Sequence, residues 1–207
     1  MSESQHTAEP ALERFVFFSD AVFAIAITLL VIEIKAPPVG AEIGERAWEG
    51  VIVHLWPSFF AFILTFMVVG SVWAAHHAVF RLVSKFSEAL IFPNLMLLMM
   101  VALVPFSSAL LSERTVAPAP YVFYALNLLA VGLAKVWVVR IALRPALVSL
   151  HVAAREVLVA RRMSWLLPTA SAVALALAFV IPGWNNLAML VIPLGRRLPW
   201  LSAPRGG

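Results

Sequence analysis

The stretch Arg14-Phe15-Val16-Phe17-Phe18-Ser19-Asp20-Ala21-Val22-Phe23-Ala24-Ile25-Ala26-Ile27-Thr28-Leu29-Leu30-Val31-Ile32-Glu33-Ile34-Lys35 sets the class of this chain. From Phe15 to Ile34 it is long and apolar enough to cross a bilayer, which takes roughly 20 mostly apolar residues. Yet it carries Ser19 and Asp20 near its start and Thr28 in its middle. An acid in a spanning helix is costly and marks a functional position by default. At about 100° per residue, Phe18, Val22, Ile25, Leu29 and Ile32 share one face, with Thr28 at its border. Asp20 points well over a quarter turn away from that face, toward neighbouring helices. The apolar face can serve helix packing, lipid contact or the lining of a pore.

The whole chain shares this character. Of its 207 residues 62% are hydrophobic and 13% charged, with a mean hydropathy of +0.94. A soluble domain averages about 45–50% apolar and about 25% charged residues. The composition therefore indicates an all-α integral membrane protein whose main surroundings are the lipid bilayer. There is no cysteine, so disulfides and thiolate metal sites are excluded. The net charge of +4 reflects where basic residues stand relative to the membrane, and no nucleic-acid partner is expected. Met1 to Glu13 carries Glu3, Glu9 and Glu13 but no Lys or Arg, unlike the basic start of a secretory signal peptide. The first helix is accordingly expected to be retained.

Six stretches read as spans: Phe15–Ile34, Trp48–Ala75 around Pro57, Leu90–Leu111 with Pro105 inside, Tyr121–Leu143, Trp165–Ile181 and Asn186–Leu198. The last two are short and joined by Pro182-Gly183-Trp184-Asn185, a turn signal that predicts a tight hairpin. Six spans put both termini on one side, with Arg14, Arg81, Lys85, Arg140, Arg144, Arg155, Arg161, Arg162, Arg196, Arg197 and Arg205. Lys35, Arg46 and Arg114 fall on the other side, and Lys135 inside the fourth span. This bias places both termini, residues 1–14 included, in the cytoplasm of a cell-membrane protein. Residues 144–162 intersperse arginines with apolar residues and predict a basic amphipathic linker along the cytoplasmic headgroups. Most tryptophans fall near span ends, as interfacial anchors do. No internal repeat or linker divides the chain, so residues 1–207 read as one transmembrane domain.

Polar groups gather near the cytoplasmic ends of four spans: Asp20, then Trp73, His76 and His77, then Asn94, then Lys135. A buried carboxylate needs hydrogen-bond donors or a cation, and these side chains supply them. The group can be a structural staple between helices or a titratable latch, and Lys135 can instead snorkel to the interface. Glu33 can concentrate cations at the outer mouth or pair with Lys35. Adjacent His76 and His77 point in different directions and make no two-histidine metal pair. The chain has no nucleophile motif and no paired intramembrane carboxylates. Neither an enzymatic activity nor a metal or organic cofactor is expected.

Arg14-x-x-x-Phe18-Ser19-Asp20, followed by Ala-Ile-Ala-Ile-Thr-Leu-Leu-Val, resembles the signature of the transmembrane protein 175 family of potassium channels. Val72-Trp73-Ala74-Ala75-His76 looks like that family's second-helix motif, and Asn94-Leu95 fits its third helix. The single six-span unit is similar to the prokaryotic form, which assembles as a homotetramer. The resemblance implies four first helices around a central potassium pathway. It puts a constriction of aliphatic side chains at Ile25, with Leu29 and Ile32 as further layers. Thr28 matches a polar position implicated in potassium preference, where a transient potassium ion could sit. Arg14, Ser19, Asp20, Trp73, His76 and Asn94 match the polar network that holds the pore helix. The family lacks the Thr-Val-Gly-Tyr-Gly carbonyl filter, and so does this sequence. The alternative from another class is a proton-coupled secondary transporter using Asp20 and His76 as its relay; transporters often carry inverted repeats, and none is evident here. A third is a membrane scaffold without transport.

Overall fold

The computed structural model describes residues 8–35, 45–112, 117–181 and 185–192, which are almost wholly helical. The elements are α1 (Ala8–Leu29), α2 (Glu45–Phe80), α3 (Ile91–Ala102), α4 (Val104–Ser112), α5 (Ala119–Ala142), α6 (Ala154–Ser164) and α7 (Leu166–Leu177). Short 3-10 segments follow α1 (Leu30–Glu33), precede α3 (Glu88–Leu90) and follow α7 (Asn185–Leu190). Among the described residues the isolated β pairing joins Val83 to Val148, between two connecting loops.

Four helical segments are long and apolar enough to cross a membrane: Pro10–Glu33, Leu55–Phe80, Glu88–Leu111 and Ala119–Ala142. They correspond to the first four expected spans, with different boundaries. The second runs on to Phe80 because no charge interrupts it before Arg81. The third breaks at Leu103. Pro105 has no N–H to offer the Val101 carbonyl one turn earlier, and its ring crowds that carbonyl. Pro57, by contrast, is accommodated within α2. The fifth expected span appears as the twelve-residue α7, and the sixth begins with the Asn185–Leu190 turn. Most of the predicted turn (residues 182–184), the remainder of the sixth stretch and Arg114, Arg196, Arg197 and Arg205 lie outside the described residues.

α5 is the hub. Pro118 at its N-cap and Pro120 in its first turn start it without losing a helical hydrogen bond. Of the apolar stretch in its span 61% is buried within the chain, against 22% for the first span. Tyr124, Leu128, Val131 and Val138 face the core against α3, α4 and α7. At Gly132 the backbones of α5 and α7 meet: a Cβ there would lie 2.7 Å from the Pro168 nitrogen and 2.8 Å from its Cδ. Those atoms belong to backbone and ring and cannot rotate away. Gly132→Ala is therefore expected to push α7 off α5 and cost about 1–3 kcal/mol, typical of overpacking. A thermal-unfolding series in detergent checks this, with Gly70→Ala as control, since no heavy atom lies within 4 Å of a Cβ at Gly70.

Neighbouring spans are antiparallel. Ser19 on α1 lies level with His76 near the end of α2 and Asn94 near the start of α3. At the other end, Leu30 and Glu33 lie near Ser58 and Ser108. Arg14, Arg81, Lys85, Arg140, Arg144 and the arginines of α6 thus share one end of the bundle, and Lys35 marks the other.

Candidate functional site

One side of α1 is anchored and the other is bare. Ser19, Phe23, Ala26 and Leu30 are buried against the bundle. Phe17, Phe18, Ala21, Ala24, Ile25, Thr28, Leu29, Val31 and Ile32 are exposed, with Ile25 58%, Leu29 40% and Ile32 69% accessible. At about 100° per residue the exposed positions fill an arc of roughly 160°, extending beyond the apolar face read from the sequence. Val22, at the edge of that face, is half-buried. Thr28 sits within the arc, and its hydroxyl donates to the Ile25 carbonyl at 2.9 Å. With its proton so engaged, the Thr28 oxygen has lone pairs left to offer along the exposed face.

The anchored side is held by two separate hydrogen-bonded groups. In the first, Trp73 Nε1–H donates to Asp20 Oδ1 at 2.8 Å. The second is a directed chain. His76 Nε2–H donates to Asn94 Oδ1 at 3.0 Å, Asn94 Nδ2 donates to Ser19 Oγ at 2.8 Å, and Ser19 Oγ donates to the Phe15 carbonyl at 3.0 Å. The chain ties α1, α2 and α3 together, and Ser19, His76 and Asn94 are all buried. Its order follows from the asparagine: with the amide NH2 engaged by Ser19, the amide oxygen faces the imidazole, which must donate. The His76 ring also lies against Phe23 and Phe80, with centroids 5.6 and 4.6 Å away. His76 Nδ1 has no hydrogen-bond partner.

The other residues singled out in the sequence fall elsewhere. Arg14 is exposed and projects onto the outward arc, whereas Ser19 lies on the anchored side and half-buried Asp20 at the border between the two. Lys135 is buried and lines a cavity of about 310 Å³ with Ser71 and Ala75 of α2 and Ser164 of α6. Glu33 lines a small recess beside Ser58 and Ser108.

A further polar cluster escaped the sequence reading. Thr65 Oγ1 hydrogen-bonds both Tyr124 Oη at 2.9 Å and Ser108 Oγ at 3.2 Å, joining α2, α5 and α4 in the core. Beside it Asn127 Nδ2 donates to Ser107 Oγ at 2.9 Å. Thr65 precedes His76 by eleven residues, about 16 Å along the helix, so the clusters fasten different depths. Thr65→Val should leave Tyr124 and Ser108 without this partner and destabilise the fold by about 1 kcal/mol, near the range of interhelical hydrogen bonds in membranes. Denaturation in detergent measures it, with the partly exposed Ser71→Ala as the near-neutral comparison.

The family profile described as "Endosomal/lysosomal potassium channel TMEM175" matches residues 14–105. A protein of Streptomyces collinus named a potassium channel is 46% identical over 96 residues, 46% of this chain and 45% of that one. A protein of Gallus gallus named "Endosomal/lysosomal proton channel TMEM175" is 31% identical over 116 residues, 53% of this chain and 23% of that one. The chain spans about half the length of the bacterial relatives it matches. The crystal structure described as a lysosomal potassium-selective channel TMEM175 homolog from Chamaesiphon minutus superposes with a TM-score of 0.79 at 31% identity, covering 94% of this chain and 100% of that one.

Proposed function

Because the chain belongs to the TMEM175 family, we propose that it forms a potassium-permeable channel, four copies surrounding a pathway lined by α1. The observation that carries this reading is the outward arc of α1, which is bare in the single chain while the opposite side is hydrogen-bonded to α2 and α3. In the proposed assembly each subunit has six spans, and both termini are cytoplasmic. Ile25, Leu29 and Ile32 form successive aliphatic rings. Such a constriction gates by dewetting: water and ions leave a narrow dry segment, and conduction requires the helices to splay or rotate. Thr28 supplies hydroxyl oxygens one helical turn from Ile25, where an ion shedding water gains a ligand. The asymmetry of α1 suits this work, since the anchored side holds the helix while the plain side meets the ion.

Purified protein in liposomes under a potassium gradient tests the reading. Passive potassium flux, without any imposed proton gradient, is the expected result. Potassium movement that occurs only with a proton gradient favours a coupled transporter working through Asp20 and His76. Absence of potassium flux across the accessible pH range overturns the channel. A second reading, proton permeation through the same pathway, is favoured by the name of the vertebrate relative. An internal pH dye in the same vesicles separates it from potassium flux.

A further inference from the structure

We propose that the groove between residues 143–150 and α6 binds one anionic phospholipid, with an acyl chain in the groove and the phosphate held by Arg155, Arg161 and Arg162. The groove encloses about 360 Å³ and is lined by Leu143, Val148 and Leu150 on one side and by Val157, Leu158 and Arg161 of α6 on the other. Leu150 is 99% accessible and Leu158 half exposed. Exposed leucine side chains gain by leaving water for the company of an acyl chain.

The charges complement one kind of lipid. On α6, Arg155 and Arg162 are separated by seven residues and fall on one line, about 20° apart. Leu158 lies between that line and Arg161, so an apolar stripe is flanked by arginine on both sides. Glu156, the sole acid of α6, projects roughly 160° from Leu158, onto the far face. Arg161 Nη2 donates to the Leu143 carbonyl at 2.8 Å, which spans the groove and uses one of five guanidinium N–H groups. Basic amphipathic segments of this kind attract anionic headgroups while their apolar side enters the acyl boundary.

Depth agrees with chemistry. Trp165, at the corner between α6 and α7, is partly exposed, and the Arg140 guanidinium lies 5.5 Å from its ring centre. Tryptophan paired with arginine at a helix end belongs at headgroup level. The groove wall is also tied to the chain leaving α2: Ser84 N–H donates to the Leu147 carbonyl at 2.9 Å, and Ser149 N–H to the Leu82 carbonyl at 3.0 Å. A lipid seated there stiffens a loop joined to the helix that carries Trp73 and His76. The binding itself does not depend on the channel reading.

Native mass spectrometry of the delipidated full-length protein, titrated with phosphatidylglycerol or with phosphatidylcholine of the same chain length, tests this. One phosphatidylglycerol per chain should bind at concentrations where phosphatidylcholine does not. R155Q/R162Q should weaken it by roughly 25-fold, about fivefold for each arginine. Leu158→Gln should weaken it independently, and Lys85→Gln, on the same basic end but outside the groove, should leave it unchanged. Soluble glycerol phosphate should not displace the lipid. Equal binding of the two lipids, undiminished binding by R155Q/R162Q, or displacement by glycerol phosphate would overturn the proposal.

Discussion

Ile25→Asn is expected to raise potassium flux into liposomes by roughly tenfold to a hundredfold and to erode cation discrimination. Burying an isoleucine side chain is worth about 1.5–3 kcal/mol of avoided hydration, and that aversion to water is what keeps an aliphatic ring dry. Asparagine is similar in size but carries an amide that binds water. In the proposed tetramer, four of them in one layer would replace a dry segment with a wetted one. Removing a barrier of even 1.4 kcal/mol changes a rate about tenfold. Ala26→Asn, one residue along but on the buried side of α1, should instead impair folding without opening the pathway. Flux through Ile25→Asn that is unchanged in size and selectivity removes Ile25 from the constriction.

Asn94→Leu should produce the largest loss of stability among single changes at the anchored side. It is nearly isosteric, yet it strips the acceptor from His76 Nε2–H and the donor from Ser19 Oγ, both in buried surroundings. Interhelical hydrogen bonds in membranes average about 0.6 kcal/mol and reach about 1.7, whereas an orphaned buried group in water-soluble proteins costs about 1–3 kcal/mol. Two such losses amount to about 2 kcal/mol, or a fall of roughly 4–8 °C in the detergent-solubilised melting temperature. Ser19→Ala should cost less, because it leaves the His76–Asn94 bond in place. A His76→Phe change combined with Asn94→Leu should cost less than the sum of the two, since the first already removes the donor that the second orphans. Strict additivity would show that the chain of hydrogen bonds does not act as a unit.

The first helix was the most legible part of this chain, for a physical reason. A span of one continuous helix has a fixed angular repeat, so the separation of Ile25, Leu29 and Ile32 from Asp20 could be read by projection alone. Asp20 was expected in the polar network that holds this helix, and the structure gives it Trp73 as a partner. The break at Leu103 was less legible. Pro105 announced a disturbance, but Pro57 announced one equally and lies in an unbroken helix. A missing N–H can be absorbed by a bend or end a helix, and local sequence does not decide which. The cluster of Thr65, Ser108 and Tyr124 left no trace in the sequence, because each is an ordinary residue of an apolar helix. Their meeting depends on how α2, α4 and α5 are rotated against one another, which is a property of packing. Arg14 sits within the recognised motif, but helical geometry turns it toward the outward arc and away from the anchors.

Scanning cysteine accessibility along α1 tests most directly whether its outward arc lines the pathway. The chain contains no native cysteine, so each single substitution reports one position. Ile25→Cys, Thr28→Cys and Ile32→Cys should each lose potassium flux when a membrane-impermeant, water-soluble thiol reagent is applied, whereas Ala26→Cys should continue to conduct. Flux that is insensitive to the reagent at all three outward positions, or blocked equally at Ala26→Cys, would contradict a pore lined by this face.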